Sequence, residues 1–143
     1  MRKHPFLFVA LAASLTFFAA PIVRAQIVGQ VYASIHHSFI VGNATLPPGD
    51  YIFRMLPQSD LALMTVYTAN GSTGAEFLVQ QSTDSHTPRH TELFFDRYGN
   101  KEFLTHIYEQ GDKFGVRVVE PSRIEARLQK QGVTPVEHTE EQK

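Results

Sequence analysis

Between residues 93 and 108 two apolar, aromatic-rich runs flank a Gly99-Asn100 pair. Such a pair between apolar runs is a strong hairpin signal, because both residues accept the left-handed backbone of a tight turn. Side chains alternate along a strand, so Leu93 and Phe95 oppose Phe94, while Phe103, Thr105 and Ile107 oppose Leu104, His106 and Tyr108. Both faces are apolar, which places this hairpin centrally, covered on both sides. A two-residue loop sets Arg97 against Glu102, Phe95 against Leu104 and His106 against Leu93. A three-residue loop pairs Phe95 with Phe103 but brings Arg97 to Lys101 and Asp96 to Glu102, a poorer match in charge.

The same period of two predicts further strands over residues 31–41, 51–56, 61–68, 75–81 and 114–119. Gly42-Asn43 ends the first. Pro48-Gly49 suits the centre of a type II turn, Asn70-Gly71 a type I′ hairpin, and Gly111-Asp112-Lys113 another turn. Pro57 with Gln58-Ser59-Asp60 breaks the second strand from the third, and residues 82–89 form a polar loop. The period then changes. Ser122 and Glu125 have the spacing of a capping box, Ile124 and Leu128 share one helical face, Arg123, Arg127 and Lys130 another, and Gly132 stops the helix. The expected fold is all-β, an antiparallel β-sandwich or barrel of about seven strands with a short C-terminal helix.

Composition adds three points. The chain has 143 residues, enough for one domain with a buried core. Its formal net charge of −1 gives no ground for a nucleic-acid partner. It contains no cysteine, which excludes disulfides, thiolate nucleophiles, Cys-ligated zinc and a lipid-anchoring cysteine. Residues 1–25 read as a signal peptide: Arg2-Lys3-His4 is basic, residues 6–22 are nearly all apolar, and Val23-Arg24-Ala25 offers a small-x-small cleavage site. Cleavage after Ala25 leaves no stable membrane anchor. Without Arg2, Lys3 and Arg24 the chain keeps ten basic residues against fourteen acidic. The expected organisation is a signal peptide at 1–25, a β-domain at 26–131 and a disordered tail at 132–143, where no periodicity is visible.

Candidate chemistry is sparse. His37, His86, His90 and His106 are the metal-ligand candidates, since imidazoles on a β scaffold can gather round an ion. His36 and His37, adjacent on a strand, point to opposite faces, so only one belongs to any site. Asp96 and Glu102 lie near one turn, but Arg97 and Lys101 beside them indicate a solvated, charge-balanced turn. Ser38 has no nucleophile-elbow context, and no phosphate loop is present. No catalytic residue and no cofactor is expected. Tyr32, Tyr51, Tyr67, Tyr98 and Tyr108 are the other candidates, as a face for carbohydrate or peptide, because tyrosine joins stacking area to a polar tip.

Phe39-x-Val41-Gly42-x-x-x-Leu46-Pro47-x-Gly49-x-Tyr51, then Leu93-Phe94-Phe95-x-Arg97-Tyr98-Gly99 with Phe103-Leu104, then Ser122-Arg123-x-Glu125, run through most of the chain beyond residue 25. In that order they resemble a group of small exported proteins of unknown function common in acidobacteria. The group usually has Pro-Phe-acidic before the Phe39 position, where this chain has His36, His37 and Ser38. The resemblance implies export and a β fold and supplies no activity. The residues thus predict an exported, non-enzymatic β-domain, periplasmic or extracellular, with a binding or structural role towards carbohydrate, peptide or an envelope protein. The competing class is a His-ligated metal-dependent envelope enzyme or metal-binding protein.

Overall fold

The computed structural model describes residues 29–56 and 62–142. The expected signal peptide, the break at 57–60 and the start of the third strand at Leu61 lie outside the described residues. Among the described residues the protein is all-β with one short helix. Its strands are β1 (Gln30–Ile35), β2 (Phe39–Val41), β3 (Ala44–Leu46), β4 (Gly49–Met55), β5 (Leu63–Thr68), β6 (Gly74–Thr83), β7 (Thr91–Tyr98), β8 (Lys101–Tyr108), β9 (Phe114–Val118) and β10 (Val136–Gln142), with α1 (Arg123–Lys130) before the last. They form one open sheet of ten strands rather than the expected seven, antiparallel throughout except where β2 runs parallel to β8.

One face of every strand from β1 to β9 supplies the main core. Val31, Ala33, Ile35, Phe39, Val41, Leu46, Tyr51, Phe53, Met64, Val66, Phe77, Val79, Leu93, Phe95, Leu104, Ile107 and Val116 pack as a single buried cluster. A sheet whose strands all feed one core must curl around it. The long strand β6 allows this, pairing with β5 through its first half and with β9 through its second. The sheet stays open between β1 and β10, where Gln142 Oε1 accepts from the Ser34 backbone N–H at 2.7 Å.

The β7–β8 hairpin takes the two-residue turn, with Arg97 opposite Glu102 and Phe95 opposite Leu104. Gly99 supplies the positive φ of 63° that the turn needs. Farther from the turn the register differs from expectation. A bulge between Phe94 and Phe95 brings Phe94, not Leu93, opposite His106. Thr105 is the extra residue, and its hydroxyl donates to the Phe94 carbonyl at 3.1 Å. The bulge restarts the alternation, so Leu104 and Ile107 both enter the main core. On the outer face Tyr98 and Phe103 join Ile40 and Leu128 in a second cluster.

Four other local expectations are corrected. Residues 36–38 break the expected first strand into β1 and β2, so His36 and His37 lie in a bend rather than on a strand. Gly49 opens β4 without a positive φ, so the Pro48-Gly49 turn is not type II. Between β5 and β6 only Gly71 has a positive φ, and the side chains of Thr68, Asn70 and Ser72 tie off a longer loop than a type I′ turn. The tail expected at residues 132–143 contains β10, every residue of which pairs with β7. Main-chain hydrogen bonding needs no apolar side chains, which is why the hydrophobic pattern carried no sign of it.

Helix α1 begins as expected, with Ser122 Oγ accepting from Glu125 N–H at 3.1 Å. Leu128 packs inward and Glu125 is buried, while Ile124, expected on the same helical face as Leu128, is exposed. In the Leu-Pro-Pro-Gly-Asp-Tyr segment the Tyr51 hydroxyl donates to the Pro47 carbonyl at 2.5 Å, a corner that fixes the entry to β4. Tyr51→Phe leaves that carbonyl without its partner and is expected to cost about 1 kcal/mol in urea unfolding. A loss near zero would show that water takes over the bond.

Candidate functional site

The bend at residues 36–38, the start of β8 and the strand β10 converge at one end of the core. The bend supplies His37, β8 supplies Glu102, and β10 supplies His138 and Glu140. One ligand atom from each of His37, Glu102 and His138 lies within 4.8 Å of the other two. The His37 ring sits edge-on to Phe95, with centroids 4.8 Å apart, and 5.0 Å from the His138 ring. Its Nδ1 lies 3.0 Å from Glu140 Oε1, and His36 Nδ1 approaches the same oxygen at 3.8 Å. The bend thus lets both adjacent histidines reach one carboxylate, which strand geometry would forbid. Arg97 Nε donates to Glu102 Oε1. Glu102 Oε2 lies 3.3 Å from His138 Nδ1, which is also 3.1 Å from Arg97 Nη2. Glu102 is therefore buried and paired, with Arg97 and His138, rather than part of a solvated turn.

A second set of groups lies on the outer face of the hairpin. Phe94, His106 and Tyr108 form an aromatic floor: Phe94 meets Tyr108 edge-on at 5.7 Å, and His106 lies parallel to Tyr108 at 6.1 Å. Above it is a recess of about 360 Å³ rimmed by Thr83, Asp84, Ser85, His86 and Glu137. Ser82 Oγ, 2.8 Å from the Tyr108 hydroxyl, holds the floor in place. His86 Nδ1 is 3.0 Å from Asp84 Oδ1, and its Nε2 is 3.8 Å from Glu92 Oε2.

Beyond His106 a second recess, of about 280 Å³, runs under the start of α1, lined by Asp96, Arg117, Glu125 and Gln129 among others. Burial pushes the Asp96 carboxyl above its ordinary 3.8, the Glu137 charge adding to this and His106 opposing it. Burial also raises Glu125 above 4.5, with the Asp96 charge adding and a hydrogen bond from the Ser122 backbone opposing. His106 moves down from 6.5, through burial and then the Arg117 charge. Between the ordinary and the raised carboxyl values the folded protein holds protons that the unfolded chain has released. Stability therefore falls as pH rises through that interval, and the deficit persists to neutral pH. Asp96→Asn is expected to raise the melting temperature at pH 7 and to give no such gain below pH 3.8. An equal gain at both pH values would locate the effect elsewhere.

Of the expected metal ligands, His37 alone joins a three-residue cluster with a second histidine. His86 belongs to the separate Asp84–Glu92 group, His106 to the aromatic floor, and His90 is exposed on its loop. His138 and Glu140 were missed because their strand was read as tail. His138, Glu140 and Gln142 are half-buried and Glu137, Thr139 and Glu141 exposed, an alternation that the sequence, polar at both sets of positions, does not show. Asp96 and Glu102 sit on opposite faces and form no pair. The tyrosines form no common face: Tyr51 and Tyr98 are buried in different clusters, Tyr32 is exposed on β1, Tyr67 lies under Arg54, and Tyr108 belongs to the recess.

The class defined by this architecture is an all-β domain of one curled sheet capped by a short helix. Compared with known proteins, the chain matches no family model, no curated protein and no solved structure. Among the described residues no helix is long and apolar enough to cross a membrane.

Proposed function

We propose that the chain is an exported, non-enzymatic β-domain, periplasmic or extracellular, that binds a carbohydrate-containing ligand in the recess over Phe94, His106 and Tyr108. The observation that carries this reading is the pairing of an aromatic floor with a polar rim in one open hollow of about 360 Å³. That is within the size range of ligand clefts, about 300–1,000 Å³. Sugar rings lay their C–H faces on aromatic rings and offer hydroxyls all round, and the rim presents carboxylates, hydroxyls and an imidazole to meet them. On the rim Ser85 Oγ donates to Asp84 Oδ1, and beneath it Ser82 Oγ pairs with the Tyr108 hydroxyl; neither bond is to an imidazole, which favours binding over acyl transfer.

Export rests on the basic, apolar and small-residue sequence of residues 1–25, and the lack of cysteine is compatible with it. The resemblance to small exported acidobacterial proteins belongs to the same reading. Amide-shift NMR with neutral hexose oligomers and N-acetylhexosamine oligomers tests the proposal. One class should perturb the amides around Phe94, His106 and Tyr108, and Phe94→Ala should weaken that binding at least about tenfold. Silence at millimolar sugar, or shifts confined to another face, would remove the proposal.

A further inference from the structure

The geometry points to a binding site for a divalent first-row transition ion such as Zn²⁺, formed by His37, Glu102 and His138, with Glu140 positioning His37. This site lies on the core-facing side of the hairpin, away from the outer recess, and does not depend on the carbohydrate reading.

Two features of the cluster call for a cation. The first is His37. Nδ1 lies 3.0 Å from Glu140 Oε1, an acceptor, so a ring that carries its proton on Nδ1 presents its lone pair at Nε2. That Nε2 is buried and has no hydrogen-bond partner among the described residues. A buried imidazole nitrogen with its other nitrogen held by a carboxylate is the arrangement that orients metal-ligating histidines.

The second feature is the contact between His138 and Glu102. Arg97 never gives up its charge, so its Nη2, 3.1 Å from His138 Nδ1, can only donate there. Nδ1 is then an acceptor, and Glu102 Oε2, another acceptor, faces it at 3.3 Å. If Nδ1 instead carries a proton for Oε2, that proton faces the guanidinium. No assignment of protons on a neutral His138 satisfies all three groups. A cation between Nδ1 and Oε2 would take the lone pair of each, and Nη2 of the part-exposed Arg97 side chain would then turn to solvent. Arg97 keeps its bond from Nε to Oε1, which leaves Oε2 as the free oxygen of that carboxylate.

Two imidazoles and one carboxylate form a donor set that suits zinc, copper, nickel or iron rather than calcium or magnesium. The ligand atoms lie within 4.8 Å of one another, near enough for side-chain rotation to bring them to an ion with bonds of about 2.0–2.2 Å. The three come from the β1–β2 bend, β8 and β10, so the ion would fasten the polar last strand to the core end. The Asp84–His86–Glu92 group lacks both features: it has one histidine, well exposed, with each nitrogen facing a carboxylate.

The test is calorimetric titration of the tag-free, chelator-stripped protein with zinc chloride. One site of micromolar or tighter affinity is expected. His37→Gln and His138→Gln should each weaken it by more than about 100-fold, and Glu140→Gln by about 10–100-fold, while His90→Gln leaves it unchanged. Unfolding in excess EDTA should be alike for wild type and variants, with the zinc-dependent rise lost only in the ligand variants. X-ray absorption on the zinc-loaded wild type should show two imidazoles in the shell, a readout that needs no variant to fold. The absence of specific zinc binding, affinity unchanged by His37→Gln, or a shell with fewer than two imidazoles would overturn the proposal.

Discussion

Phe95→Ala is expected to lower the stability of the domain by about 3–5 kcal/mol, the usual cost of emptying a fully buried phenylalanine site. Phe95 has no exposed surface, and its ring lies 5.9 Å from Phe39 and 6.1 Å from His138, besides the edge contact with His37. The cavity would open between β7, the bend and β10. Its walls are held by ladders to other strands, so they cannot all collapse into it. Against a typical total of about 5–15 kcal/mol this is a large fraction. Urea unfolding should show a lower midpoint with an unchanged slope. Since Phe95 also braces His37 and His138, the variant should bind zinc more weakly even where it remains folded. A loss below about 1 kcal/mol would mean that neighbouring side chains refill the space.

The elements legible in the sequence were those whose side chains alternate between water and the core. Strand β4, strand β5 from Leu63, the β7–β8 turn and the start of α1 all carry apolar periodicity, turn residues or a capping pair that act locally. The bulge at Thr105 was not legible, because an extra residue in a strand that is apolar on both faces leaves the pattern looking continuous. The break at residues 36–38 was hidden in the same way: His36, His37 and Ser38 are compatible with a strand, and nothing local requires the bend. Strand β10 was hidden for the opposite reason. Its sequence, Val-Glu-His-Thr-Glu-Glu-Gln, has no apolar face, since the groups it turns inward meet polar partners already there. His138 meets Glu102 and Arg97, and Glu140 meets His37. A strand selected by polar matching is invisible to a hydrophobic pattern, and it brings half of the candidate cation site with it. The outer recess was half legible: Tyr108 and His106 were singled out, but only the register shift at the bulge sets Phe94 beside them.

Gly115→Ala is expected to cost roughly 3 kcal/mol, at the upper end for overpacking, although it adds only a methyl group. Gly115 sits in β9 directly opposite Tyr108, and its φ is not in the left-handed region, so backbone freedom is not what glycine provides here. What it provides is the missing Cβ. A methyl placed there would run into the Ile107 carbonyl oxygen and the edge of the Tyr108 ring. The carbonyl belongs to the β8 main chain and cannot turn aside without leaving the β8–β9 ladder. The ring can turn, but only by giving up its hydroxyl contact with Ser82 and lifting the floor beneath Phe94 and His106. Either response loosens β9 from β8 or reshapes the outer recess. Amide exchange should therefore quicken first along β9, and any sugar affinity in the recess should fall, while zinc affinity at the far face stays within about twofold because distant sites act nearly independently. A variant with wild-type stability and wild-type exchange in β9 would show that the two strands can part at no cost, contrary to the close contact at Gly115.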